Sequence, residues 1–179
     1  MNVLTKMFHK KKRTSRLTKR LIFLAAFVNS LLAGTNVNRA LIDMPAWQQV
    51  GARAWASFSR QADLGLGGLV LYPAQAFLGA ILSILALINF QRDGGEPRQA
   101  RIPLYMAVFS TIAGLLATSR AAPIMLGVRD MGEESIDLQH ALNRFQMWSN
   151  IRGAFQMLAF VANLWSLFIV SGSRRKVKL

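Results

Sequence analysis

LGLGGLVLYPAQAFLGAILSILALINF, residues 64–90, contains no Asp, Glu, Lys or Arg. A helix needs about 20 apolar residues to cross a hydrocarbon core about 30 Å thick. This run has that length, and it reads as a membrane span. Three further apolar runs lie on either side of it: LIFLAAFVNSLLAG at 21–34, IPLYMAVFSTIAGLLATS at 102–119 and GAFQMLAFVANLWSLFIVSG at 153–172. The first is short unless Leu17 and the segment up to Val37 join it, with Lys19 and Arg20 reaching to the headgroups. The third can continue through AAPIMLGV. The fold expected is an all-α, four-transmembrane-helix bundle.

The charges fall between and beyond these runs. The chain has 22 Lys and Arg against 8 Asp and Glu, a formal charge of +14. Residues 1–20 hold eight of the basic groups and no acid, and the tail SRRKVKL holds four more. Basic tails can bind nucleic acid, but each of these abuts an apolar span, so they read as cytoplasmic anchors and no nucleic-acid partner is expected. They also suit anionic lipid headgroups, at about 1 kcal/mol per basic residue. The 91–101 loop, QRDGGEPRQAR, is basic too. Both termini and this loop are therefore expected in the cytoplasm, in a multi-pass protein of the cell inner membrane. The domain boundaries that follow are a basic tail at 1–20, a membrane domain at 21–172 and a basic tail at 173–179. A basic leader before a short apolar run can also be a secretory signal, but no clean small-x-small cleavage site follows it, so it is expected to be retained.

Within the spans, small residues recur at four-residue spacing: Ala26, Ser30 and Gly34; Ala76 and Ala80; Gly79 and Ser83; Ser110 and Gly114. Such spacing lets helices approach closely in lipid. Asn29 and Asn163 are expected to bond between helices. Pro73, which follows Tyr72 and a Gly65, Gly67, Gly68 cluster, predicts a kinked or irregular start to the second span and points weakly to a pocket. Residues 44–60 predict a short interfacial helix. Asp43 is its expected cap, Pro45 sits in its first turn, and Trp47 and Trp55 lie near one face.

The fourth helix is extended. It is expected to start near Glu133, whose charge and that of Glu134 suit the helix dipole. Running unbroken to Gly172, it would have about 40 residues and measure about 60 Å. His140, Arg144, Trp148, Arg152 and Gln156 follow at four-residue steps, each advancing about 40° beyond a full turn. They cannot all share one face. His140 and Arg144 are expected above the lipid. Trp148, Arg152 and Gln156 can face the bundle mouth, near Asn36, Asn38, Arg39 and Asp43, where an Arg152–Asp43 contact is the chosen pair.

Much chemistry is missing. With no cysteine there are no disulfides or thiolate sites. The two histidines, His9 and His140, are expected on opposite sides of the membrane, and no Glu-x-x-His pair exists. No metal and no cofactor is therefore expected. No acid lies mid-membrane, which argues against a proton- or sodium-coupled carrier. No P-loop, GxGxxG or nucleophile elbow is present.

Ala33-Gly34 closing the first span, a polar loop with Pro45 and Trp47, and a last span entered through Trp148, Arg152 and Gln156 resemble the anthrone oxygenase-like family of small four-helix membrane proteins. The likeness covers about residues 20–172. It implies a four-helix bundle and, as in characterised members, cofactor-free oxidation of polycyclic phenolic substrates. An Arg would stabilise a substrate enolate and His140 would act as base. The residues taken together as ligand-binding candidates are Asn36, Arg39, Asp43, Tyr72, His140, Arg144, Trp148, Arg152 and Gln156. The function expected is binding of a small lipophilic ligand, or of a membrane-protein partner or second copy, at an outward-facing pocket. The alternatives are the oxygenase and a transporter component.

Overall fold

The protein is described here from a computed structural model covering residues 14–132 and 136–172. Residues 1–13 with His9, Glu133 and Glu134, and the whole 173–179 tail lie outside the described residues.

The architecture is helical throughout. Helix α1 (Arg16–Asn38) passes through a π-helical turn (Arg39–Asp43) into α2 (Met44–Val50). Helix α3 (Ala52–Gln61) follows, then α4 (Leu66–Arg92), a 3₁₀ turn (Arg98–Ala100), α5 (Arg101–Gly127) and α6 (Ile136–Gly172). Four of these segments are long and apolar enough to cross a membrane. The protein is a multi-pass membrane protein built as a helical bundle.

The first span is longer than its apolar run because Ser15 caps it. The Ser15 hydroxyl accepts from the Thr18 amide at 3.1 Å. Asp93, just past α4, accepts from the Ser15 amide at 2.7 Å and the Thr18 hydroxyl at 2.6 Å. These bonds tie the start of α1 to the α4–α5 connection. Ile22, Phe90, Leu104 and Val170 pack beside them, so the start of α1 and the end of α6 lie at the same end of the bundle.

A polar layer crosses the middle. Asn29 of α1 and Asn163 of α6 each donate to the Ser83 hydroxyl of α4, at 3.4 and 3.2 Å. Ser83 in turn donates to the Gly79 carbonyl at 2.8 Å. In lipid an unpartnered amide has no water to turn to, so one hydroxyl with two lone pairs holds three helices together. The interhelical role expected of Asn29 and Asn163 is what is found. A Cβ at Gly79 would stand 2.9 Å from the Asn29 Oδ1. Gly79→Leu should therefore displace the amide and cost about 1–3 kcal/mol, read as a lower melting temperature in detergent. Gly34 behaves differently from its place in the small-residue spacing. It is exposed, with nothing within 4 Å of an added Cβ, so it supplies no close helix approach.

The second apolar core lies at the end away from the termini. Trp47 and Trp55 are buried there among Met125, Leu138, Leu142 and Phe145. The short helix expected at 44–60 is a pair, broken at Gly51, whose φ of +95° suits glycine. Its tryptophans pack inward: the Trp55 and Phe145 ring centroids lie 5.8 Å apart, with the planes tilted by 36°, inside the bundle. Asp43 does not cap α2. The backbone is already helical at Asp43, and its carboxylate accepts from the Asn38 amide at 3.2 Å. The π turn joins α1 to α2 without the interruption a cap would mark.

Pro73 leaves α4 unbroken. The irregularity sits before it, at 62–65, where α3 turns into α4. Glycine is needed at that turn: a Cβ on Gly68 would lie 2.4 Å from the Ala62 carbonyl oxygen and 2.5 Å from that of Asp63.

Candidate functional site

No residue of 66–78 is buried, and the first buried residue of α4 is Gly79. The N-terminal half of α4 thus stands off the bundle core. A cavity of about 420 Å³ fills the gap, between α4, α5, the C-terminal end of α1 and the middle of α6. That volume lies within the range of about 300–1,000 Å³ typical of small-molecule sites. Leu32, Leu69, Ala76, Leu115, Ala122 and Phe145 belong to its apolar wall.

The polar part of the wall is concentrated near the π turn. Arg39 Nη2 donates to Asp63 Oδ1 at 2.5 Å, and both side chains are at least nine-tenths buried. Three aromatic rings surround the same guanidinium: its Cζ lies 5.9 Å from Trp47, 5.7 Å from Tyr72 and 5.8 Å from Phe145. Such contacts are worth about 0.5–1 kcal/mol when exposed and about 2 kcal/mol when shielded from water. Arg152 reaches the cavity from α6, donating through Nη2 to Ser149 Oγ at 3.2 Å. One turn further, Gln156 Oε1 accepts a short hydrogen bond from the Asn36 amide. Three buried polar atoms of the charged cluster have no partner: Arg39 Nε, Asp63 Oδ2 and Arg152 Nε.

Five of the nine candidate residues therefore line one cavity: Asn36, Arg39, Tyr72, Arg152 and Gln156. The other four do not. Trp148 is half-buried against the outer core, His140 and Arg144 are exposed on α6, and Asp43 sits beside Asn38. The 40° drift per step explains the split along α6: Gln156 and Arg152 turn inward while Arg144 and His140 turn out. The expected Arg152–Asp43 pair is not formed; Asp63, and not Asp43, is the carboxylate at the site, and it pairs with Arg39.

Asp63 and Phe145 are the residues the sequence reading passed over. A signal for Asp63 existed: it is a lone acid flush against an apolar span, and such an acid needs a partner. Phe145 carried no comparable mark. Among the described residues no three His, Cys, Asp or Glu side chains gather as metal ligands.

No protein-family model, curated protein or solved structure matches the chain. The class is set by the helices themselves: a four-span helical membrane protein with a polar-headed cavity at the end of the bundle away from its termini.

Proposed function

We propose that the protein binds a small lipophilic ligand in this cavity. It resides in the cell inner membrane with both termini cytoplasmic, so the cavity faces outward. The observation that carries the reading is the pairing of an apolar wall with two arginines and a carboxylate that retain unpartnered polar atoms. Pockets for small ligands combine these two ingredients, apolar area for affinity and few polar groups for orientation. The basic ends support the topology through the positive-inside rule.

Native mass spectrometry after purification in mild detergent tests the reading. A small molecule should be retained by the parent and lost in Ala76→Trp, which fills the cavity from α4. Retention of a protein partner with no small molecule, and no effect of Ala76→Trp, would sink it.

A second reading is the cofactor-free oxygenase that the family resemblance implies. The unengaged Arg152 Nε favours it, since a buried guanidinium is suited to holding an enolate or phenolate. His140 is exposed and off the cavity wall, so its role as base has no geometric support here. Consumption of oxygen with a polycyclic phenol, lost in Arg152→Gln, is the expected result. Turnover that persists in that variant removes Arg152 from any such mechanism.

A further inference from the structure

Exposed residues of two apolar spans line part of the cavity. Leu69 and Phe77 of α4 and Leu126 of α5 line the cavity and are yet 41%, 58% and 48% exposed. A side chain that does both lies at an opening. These residues belong to the apolar spans Leu66–Arg92 and Arg98–Gly127, so the opening between α4 and α5 faces hydrocarbon. Along α4 the lining residues recur as Leu69, Tyr72–Pro73 and Ala76–Phe77, a single stripe on the cavity side, with Tyr72 turned to Arg39.

At the inner end of this slot the charges do not balance. Arg39 and Arg152 are two cations and Asp63 is one carboxylate, which leaves one positive charge on the wall. Asp63 is already held by Arg39. Among the described residues no acid forms a salt bridge with Arg152, and its Nε–H is buried and unengaged. An anionic oxygen placed against Arg152 would satisfy that donor and neutralise the site.

We propose, resting on the ligand-binding reading above, that the ligand is a membrane-dissolved single-chain amphiphile with one oxyanion head. It enters sideways from the bilayer through the α4–α5 opening and sets its head against Arg152, with its apolar body along the stripe of α4. Carboxylate, phenolate and phosphate monoester heads share the chemistry required. A free acid and a phospholipid headgroup are two sources of such a head. The volume of about 420 Å³ favours a single-chain acid.

The test uses the full chain in phosphatidylcholine nanodiscs, with empty discs as the partition control. The probes are cis-parinaric acid, which is fluorescent, and its uncharged methyl ester. The acid should bind about tenfold or more tightly than the ester, the factor expected of a hydrogen bond to a charged group. Arg152→Gln should bring the acid down to the level of the ester, and Arg152→Lys should restore part of the difference. Ala122→Trp, which narrows the opening from α5, should slow association of the disc-dissolved acid. Oleate should displace the probe, and phosphatidic acid in the disc should not.

Equal binding of acid and ester would overturn the oxyanion assignment while leaving the pocket reading intact. Binding of neither would overturn both. Unchanged association in Ala122→Trp would overturn entry through the α4–α5 side. Displacement by phosphatidic acid and not by oleate would overturn the single-chain assignment.

Discussion

Arg39→Met should lower the unfolding free energy by about 3–5 kcal/mol, because it strands a buried carboxylate. The Asp63 side chain is 5% exposed and has one charged hydrogen-bond partner, Arg39. Removal of the guanidinium also ends its contacts with Trp47, Tyr72 and Phe145. These rings come from α2, α4 and α6, so the loss is felt across the outer end of the bundle. The measurement is a denaturation curve of the purified protein in detergent. Adding Asp63→Leu to the first change should restore most of the loss, since exchanging a buried ion pair for apolar groups is often neutral or stabilising by about 1–4 kcal/mol. If the two single changes simply add, the groups are not acting as a pair. The double variant is also informative about function: it should keep its fold while losing the charge pattern of the cavity.

The second large effect comes from two adjacent glycines. Gly68→Ala should cost about 3 kcal/mol or slightly more, at the top of the usual range for overpacking. The added methyl would collide with two backbone carbonyls, at 2.4 and 2.5 Å, and backbone cannot swing aside as a long side chain can. The α3–α4 turn must open, and Asp63, one of the two clashing residues, must move away from Arg39. Gly67→Ala is the control. An added Cβ there meets nothing within 4 Å, so the change should be neutral or stabilising by up to about 1 kcal/mol through helix propensity. Equal melting temperatures for the two variants would show that the turn is not as tight as described.

The number of spans was legible in the sequence because charge-free length is a one-dimensional property. Residues 64–90 needed no knowledge of their neighbours to be read as a crossing. The inward turn of Gln156 and Arg152 was also within reach, since helical drift depends on spacing alone. Pairing was not. Asp43 and Asp63 are equally plausible partners for an arginine at the bundle mouth when only sequence is in view. What separates them is the π turn at Arg39–Asp43, which runs α1 into α2, and the glycine-dependent turn that brings Asp63 back to Arg39. The burial of Trp47 and Trp55 was out of reach for a related reason. Tryptophan beside a span is usually an interface residue, but here α2 and α3 fold onto α5 and α6 and take both indoles inside. The cavity itself depends on how far α4 stands from its neighbours. Pro73 pointed to the right helix, though not through the broken geometry it suggested.

The shared hydroxyl of Ser83 has a mechanical meaning. Both of its lone pairs and its proton are engaged, by α1, by α6 and by its own helix. Toward the termini, Ala86 and Phe90 of α4 are clamped by neighbouring side chains. Toward the other end, nothing before Gly79 is buried. The helix is thus pinned over Gly79–Ser83, about one third to one half of its length from the cytoplasmic end proposed above. The other arm is held at Tyr72, beside Arg39, and at the tight α3–α4 turn, so the cavity lies under a helix fixed at both ends, and the girth of the proposed ligand is set by the gap as it stands.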